Sequence, residues 1–301
     1  MGLRLATAAL AVCLFVTMPL FGERAFRPGS ILGPTATPDR IEENKRLHSL
    51  LEEGWRVTPE KAQELEAELA GNPENLPVRL RLISYYGQNL INDARVRHVL
   101  WMIEHHPDAE AFQYSGGILS ISPPGSGVNE SAEYARAQAL WSQQASRFPN
   151  DTKVVANAAM NVDPETGFQL IEAARIAQPR NMEWIQWLAK TYADAIRWTF
   201  WDGKSSLTFT GDAEDYRYPP FQLPLPVCST LKRNAESSMD GPLLEAIGES
   251  LLREVRLLRE KSGLGAEWSS VITPEVQQLS VYGEQLLSRG RMLVKQPKPA
   301  K

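Results

Sequence analysis

The chain has 301 residues, 43% of them hydrophobic and 23% charged, and a formal charge of -4. That is apolar material for one large core or an extended array, and it argues against a broadly basic nucleic-acid-binding domain, because phosphate recognition needs a visible excess of cations. The 20 Gly and 21 Pro fit frequent helix ends and loops and are far from a collagen-like or low-complexity composition.

Arg4 precedes an uncharged stretch, Leu5 to Phe21, which runs LATAALAVCLFVTMPLF. A charged start and a short apolar run ending near Pro19 read as a secretory signal over residues 1–25, cut close to Ala25, with a retained membrane anchor as the alternative. Losing those residues removes Arg4, Glu23 and Arg24 and takes the formal charge to -5. Cys13 follows Val12, where a lipoprotein signal wants a small residue, so lipidation is disfavoured. In the cleaved chain Cys228 stands alone, and packing rather than a disulfide must hold the fold. It lies near a helix start in LPVCSTLKR, without a nearby His in sequence, and reads as structural.

Residues 26–39, with Pro28, Pro34 and Pro38, read as a linker. Asp39 is the expected cap of a helix opening at Arg40, with Glu42 completing a box-like start. Helices follow over 40–53, 59–70, 75–87 and 91–106. Thr58 followed by Pro59 is a strong helix start. The 75–87 segment carries too many apolar residues for a one-sided surface helix and should pack on two sides. In the next helix Ile91, Ala94, Val99, Met102 and Ile103 form the expected apolar face, with Arg95, Arg97 and Glu104 outside it.

The SGGILSISPPGSGVN sequence, 115–129, reads as a loop anchored by Ile118, Leu119 and Ile121. Helices resume over 130–147, 151–160, 164–176 and 181–197. Residues 199–227, rich in aromatics and proline, form a second long loop that needs a packing or binding reason. The remaining helices are expected over 228–238, 242–261, 264–270 and 274–292, with Asp240 opening the second of these. The last 14 residues hold five cations and no anion. They read as a frayed basic tail, residues 293–301 at its core, with weak contact to an anionic surface as the sharper alternative.

Pro73, Pro107, Pro149 and Pro179 punctuate the helices at separations of 34, 42 and 30 residues. Ala137, Trp141 and Ala145 precede Pro149, and Gly167, Ile171 and Ala174 precede Pro179. Trp184, Leu188, Ala189 and Tyr192 follow that last proline, and Leu82 with Tyr86 repeats part of the pattern. These residues resemble degenerate tetratricopeptide repeats, in which small side chains let helices approach and aromatics fill the grooves. The resemblance covers 58–198 well and 228–292 weakly. It implies an all-α, TPR-like solenoid of antiparallel helix pairs over 40–198 and 228–292, interrupted by two long irregular loops. An irregular helical bundle is the competing architecture.

The histidines are His48, His98, His105 and His106, with no HExxH and no zinc-type cysteine pair. A GxSxG elbow, an SxxK motif and a lysine-ended phosphate loop are also lacking. No metal or cofactor is expected. Trp141, Trp184, Trp187, Trp198 and Trp201 read as core and loop anchors; two or more exposed rings would instead suggest a peptide or carbohydrate platform. The resulting expectation is a noncatalytic scaffold in the bacterial cell envelope that binds a protein or peptide partner of unknown identity and no nucleic acid. Tyr86, Arg97, Trp187 and Tyr218 are the candidate contacts. The alternative is an envelope hydrolase or hydrolase accessory using Asp212, Glu214 and Asp215 in the 199–227 loop, and a third reading is a purely structural assembly component.

Overall fold

The computed structural model describes residues 38–114, 119–121, 131–200, 221–262 and 273–295. In chain order these form α1 (Pro38–Trp55), α2 (Pro59–Gly71), α3 (Leu76–Gln88), α4 (Asn92–His105), the single-turn α5 (Ala111–Tyr114), α6 (Ser131–Arg147), α7 (Thr152–Asn161), α8 (Pro164–Ala177), α9 (Met182–Phe200), α10 (Leu225–Ser237), α11 (Gly241–Ser262) and α12 (Thr273–Lys295). No strand occurs among the described residues.

Local chemistry explains where the helices start. Thr58 Oγ1 accepts from Lys61 N at 3.2 Å ahead of Pro59, and Asp151 Oδ1 accepts from Lys153 N and Val154 N. Asp163 caps α8 through Thr166 N, and Asp240 Oδ1 accepts from Leu243 N at the head of α11. Each side chain satisfies donors that the helix itself leaves without partners. The first helix begins at Pro38, so the expected cap Asp39 lies inside it.

Helix α3 packs against α1, α2 and α4; α6 joins α4 to α7; α7 pairs with α8, and α8 meets α9. Next, α9 packs on α10 and α11, and α11 lies along α12. The result is an all-α fold of paired antiparallel helices with a solenoid-like architecture. As its apolar pattern required, α3 serves two cores. Leu82 and Tyr85 join Leu65 and Leu69 of α2, while Leu80 and Ile83 join a cluster with Leu47, Val99, Met102 and Trp141. A third cluster runs from Val155 of α7 to Leu286 of α12.

The repeat-like residues sit in these cores. Trp141, Ile171, Trp184, Leu188 and Ala189 are buried, as are Ala137, Ala145, Ala174 and Tyr192. A Cβ on Gly167 would lie 2.4 Å from Ala159 O and 2.6 Å from a Phe221 ring carbon, so only Gly permits this approach of α7, α8 and the Phe221 segment. The contact of α11 with α12 is similarly close. A Cβ on Gly248 would fall 2.6 Å from Leu287 N, and one on Gly290 2.5 Å from Glu245 N.

Three details differ from the sequence reading. Arg95, expected outside the apolar face, is buried because its guanidinium donates to Ser120 O at 3.0 Å and so holds the segment whose Leu119 and Ile121 enter the core. Ile91, expected on that face, is exposed at the head of α4. The basic tail is helical as far as Lys295, because Arg289 donates to Glu236 O at 2.7 Å and to Ser238 O, while Arg291 pairs with Glu245. The expected signal sequence over 1–25 lies outside the described residues, as does the expected helix over 264–270. Among the described residues no helix is long and apolar enough to cross a membrane.

Candidate functional site

A cleft of about 460 Å³ opens where α1, α3, α5 and α7 converge with the 108–110 turn. Leu47, Leu80, Met102 and Ala111, all buried residues, make its floor, and Leu76 and Pro77 continue the apolar wall. The rim is charged, with Glu43, Arg46, Asp108, Glu110 and Lys153 around it. This volume falls within the usual range of ligand sites.

The walls are placed by polar contacts buried behind them. Asn157 of α7 is fully buried, and its Nδ2 donates to Pro107 O at 2.8 Å and Ala109 O at 3.0 Å. Its Oδ1 accepts from Gln113 Nε2 at 3.0 Å, so one side chain ties α7 to the turn and to α5. On α1 the Arg46 guanidinium grips Glu43 through two bonds of 2.7 and 2.8 Å. That bond with Arg46 holds the Glu43 carboxyl below its ordinary range against a smaller opposing effect of burial, and Lys153 adds to the lowering. Lys153 Nζ also lies 3.2 Å from Glu110 Oε1. The cleft thus has an apolar floor inside a rim of mixed sign.

A second polar constellation lies on the α2 side of α3. Glu66 Oε1 accepts from Tyr86 Oη at 2.7 Å and lies 3.1 Å from His98 Nε2 and 3.4 Å from Arg97 Nη2. His98 Nδ1 faces Arg79 Nη1 at 3.1 Å. A guanidinium only donates and a carboxylate only accepts, so neutral His98 with its proton on Nε2 satisfies both neighbours. Burial lowers the His98 pKa, and the Arg79 and Arg97 charges assist against the opposing Glu66. Burial pushes the Glu66 carboxyl up, yet the bonds from Tyr86 and His98 outweigh it and leave the group below its usual value. Burial first, then Glu66, raises the Tyr86 phenol. Arg79 also donates to Pro73 O at 2.7 Å and stacks its guanidinium 3.4 Å above the Trp101 ring. Each side chain of this set thus has an internal partner, although the buried Arg79 Nε makes no hydrogen bond.

The structure brings two of the four candidate contacts together and separates the others. Tyr86 and Arg97 share Glu66, away from the cleft. Trp187 is 0% exposed, stacked against Phe221 at 5.2 Å and beside Trp184, so it is an interior residue and offers a partner no surface. Tyr218, Asp212, Glu214 and Asp215 lie outside the described residues. Trp141 and Trp184 are likewise interior, which leaves them unable to form an aromatic platform. Cys228 is buried and donates to Leu223 O at 3.3 Å, and burial raises its pKa, the opposite of an activated thiol. Among the described residues no group of His, Cys, Asp and Glu is arranged to hold a metal ion.

The sequence reading missed Glu43, Arg46, Glu110, Lys153 and Asn157. Their common signal is placement on α1 and α7 or in the turn before α5, a pattern visible only once the helices are stacked. Fold and cleft define a class, an all-α stack of helical hairpins presenting a concave apolar site with a charged rim. No protein-family model matches the chain, and no curated protein or solved structure matches it.

Proposed function

We propose that this chain is a noncatalytic interaction scaffold of the bacterial cell envelope, a degenerate TPR-like stack that receives a peptide segment of a protein partner in the cleft. The cleft carries this reading, because its walls come from several helices of the stack and its floor is apolar within a mixed-charge rim. The envelope assignment is supported by Arg4 and the apolar Leu5-to-Phe21 run. The hydrolase alternative rests on Asp212, Glu214 and Asp215 in sequence alone.

A photocrosslinking amino acid at Asp108 tests the proposal in an envelope extract, with one at the exposed Glu165 of α8 as the control. A discrete adduct from position 108, absent from position 165 and weakened by Lys153→Glu, is expected. Equal adducts from both positions, or none from position 108, would sink the cleft as the partner site.

A further inference from the structure

On the α2 side of α3 one buried imidazole stands between a cation and an anion. His98 Nδ1 accepts from Arg79 Nη1 at 3.1 Å, while its Nε2 donates to Glu66 Oε1 at 3.1 Å. The ring is fixed in place, because it is 3% exposed and lies stacked 5.8 Å from the Tyr86 ring, whose phenol donates to the same Glu66. Arg79 is held more loosely. Its guanidinium reaches Pro73 O and rests on Trp101, and its Nε makes no hydrogen bond. Through these contacts Arg79 ties the α2–α3 turn to α4. Helix α2 itself packs chiefly on α3 and reaches α4 through Glu66, which meets His98 and Arg97.

A proton added at His98 Nδ1 removes the acceptor that faces Arg79. Two N–H groups, each carrying positive charge, then oppose one another across 3.1 Å in the interior. The charged and titratable groups around the imidazole come from each packed element: Glu66 of α2, Arg79 and the Tyr86 phenol of α3, and Arg97 of α4. Glu66 draws the imidazolium and keeps it. Glu74 of the turn also acts on Arg79; its carboxylate is 62% exposed and meets His106 through one oxygen, so the other can receive the guanidinium at the surface.

We infer that Arg79 and His98 form an acid-operated latch, in which a proton on Nδ1 drives Arg79 off His98 and Trp101 toward Glu74 and loosens the α2–α3 turn from α4 while the rest of the stack stays folded. Burial resists that proton, and the Arg79 and Arg97 charges resist it further, so the latch opens below 6.5 and stays shut at neutral pH. Leu76 and Pro77, which wall the cleft, follow this turn directly, but the latch stands on its own contacts and not on what the cleft binds.

Hydrogen exchange of the full chain, corrected for intrinsic rates, tests the latch. Between about pH 7.5 and about pH 4.5, protection over residues 72–79 should fall about tenfold while α9 keeps its own. His98→Gln retains an acceptor for Arg79 and a donor for Glu66 yet takes no proton, and it should remove the response. His106 stays titratable in that variant, so a response arising there would persist. Nitrogen NMR of the parent needs no variant: His98 should show the Nε2–H tautomer at neutral pH and gain its second N–H over the interval in which protection is lost. Unchanged protection in the parent, a response that survives His98→Gln, loss that does not follow the His98 titration, or loss at α9 together with the turn overturns the inference.

Discussion

The two halves of the molecule bury charge in opposite ways. Around α3, Arg79, His98, Glu66 and Tyr86 form a chain in which a neutral imidazole mediates between cation and anion and only Arg79 Nε is left without a hydrogen bond. Between α9 and α11, Arg197 grips Asp194, while Glu254 Oε2 lies 3.5 Å from Arg197 Nε, beyond good hydrogen-bond length. Burial raises the Glu254 pKa to about 7, with Arg197 opposing and Asp194 adding to the rise. Satisfying a buried charge requires geometry as well as opposite sign, and the amino-terminal network achieves this more fully.

The sharpest way to break this comparison is Arg197→Met. It leaves Asp194 and Glu254 buried together without their cation, and denaturant unfolding should show a loss of about 3–5 kcal/mol. Arg79→Met removes a donor to His98 and to Pro73 O as well as the contact with Trp101. Its expected cost is smaller, about 1–3 kcal/mol by the same measurement.

The pH dependence should separate the halves by sign. Glu254 holds its proton in the fold up to about pH 7, against an ordinary value of 4.5. Between those values the folded state binds more protons, so this group's contribution to stability falls as pH rises through the window. His98 is lowered from 6.5, and below that pH the unfolded state binds more protons, so its contribution rises as pH climbs toward 6.5. Glu254→Gln should flatten the descending limb in denaturation curves taken across the window and leave the ascending one. A descending limb that survives the substitution assigns it to another group. The smallest effect belongs to the cleft rim. Lys153→Met breaks an exposed pair with Glu110 and should change unfolding free energy by less than about 1 kcal/mol while reducing crosslinking at Asp108.

Much of the helical plan was legible in the sequence because it rests on short-range chemistry. Thr58, Pro59 and Asp240 mark helix starts by bonds made within a turn, and the crowded apolar pattern of 75–87 already requires two packed sides. Burial of Trp187 was one of two readings of an aromatic on a helix, and the contact role failed because Phe221, 34 residues onward, folds back to cover it. Arg95 escaped the pattern because a charge is counted as exposed until a carbonyl such as Ser120 O is brought to it. The cleft was hidden for the same reason. Glu43, Asp108 and Lys153 become neighbours only through stacking, which Asn157 fixes by contacts 48 and 50 residues away in sequence.

The backbone contact of α11 with α12 carries a consequence for inheritance. At positions 248 and 290 even one added methyl meets main chain, whereas rim residues such as Lys153 face open space. Sister lineages of this chain should therefore hold glycine at both places through long divergence, while Lys153 and its exposed neighbours are free to drift.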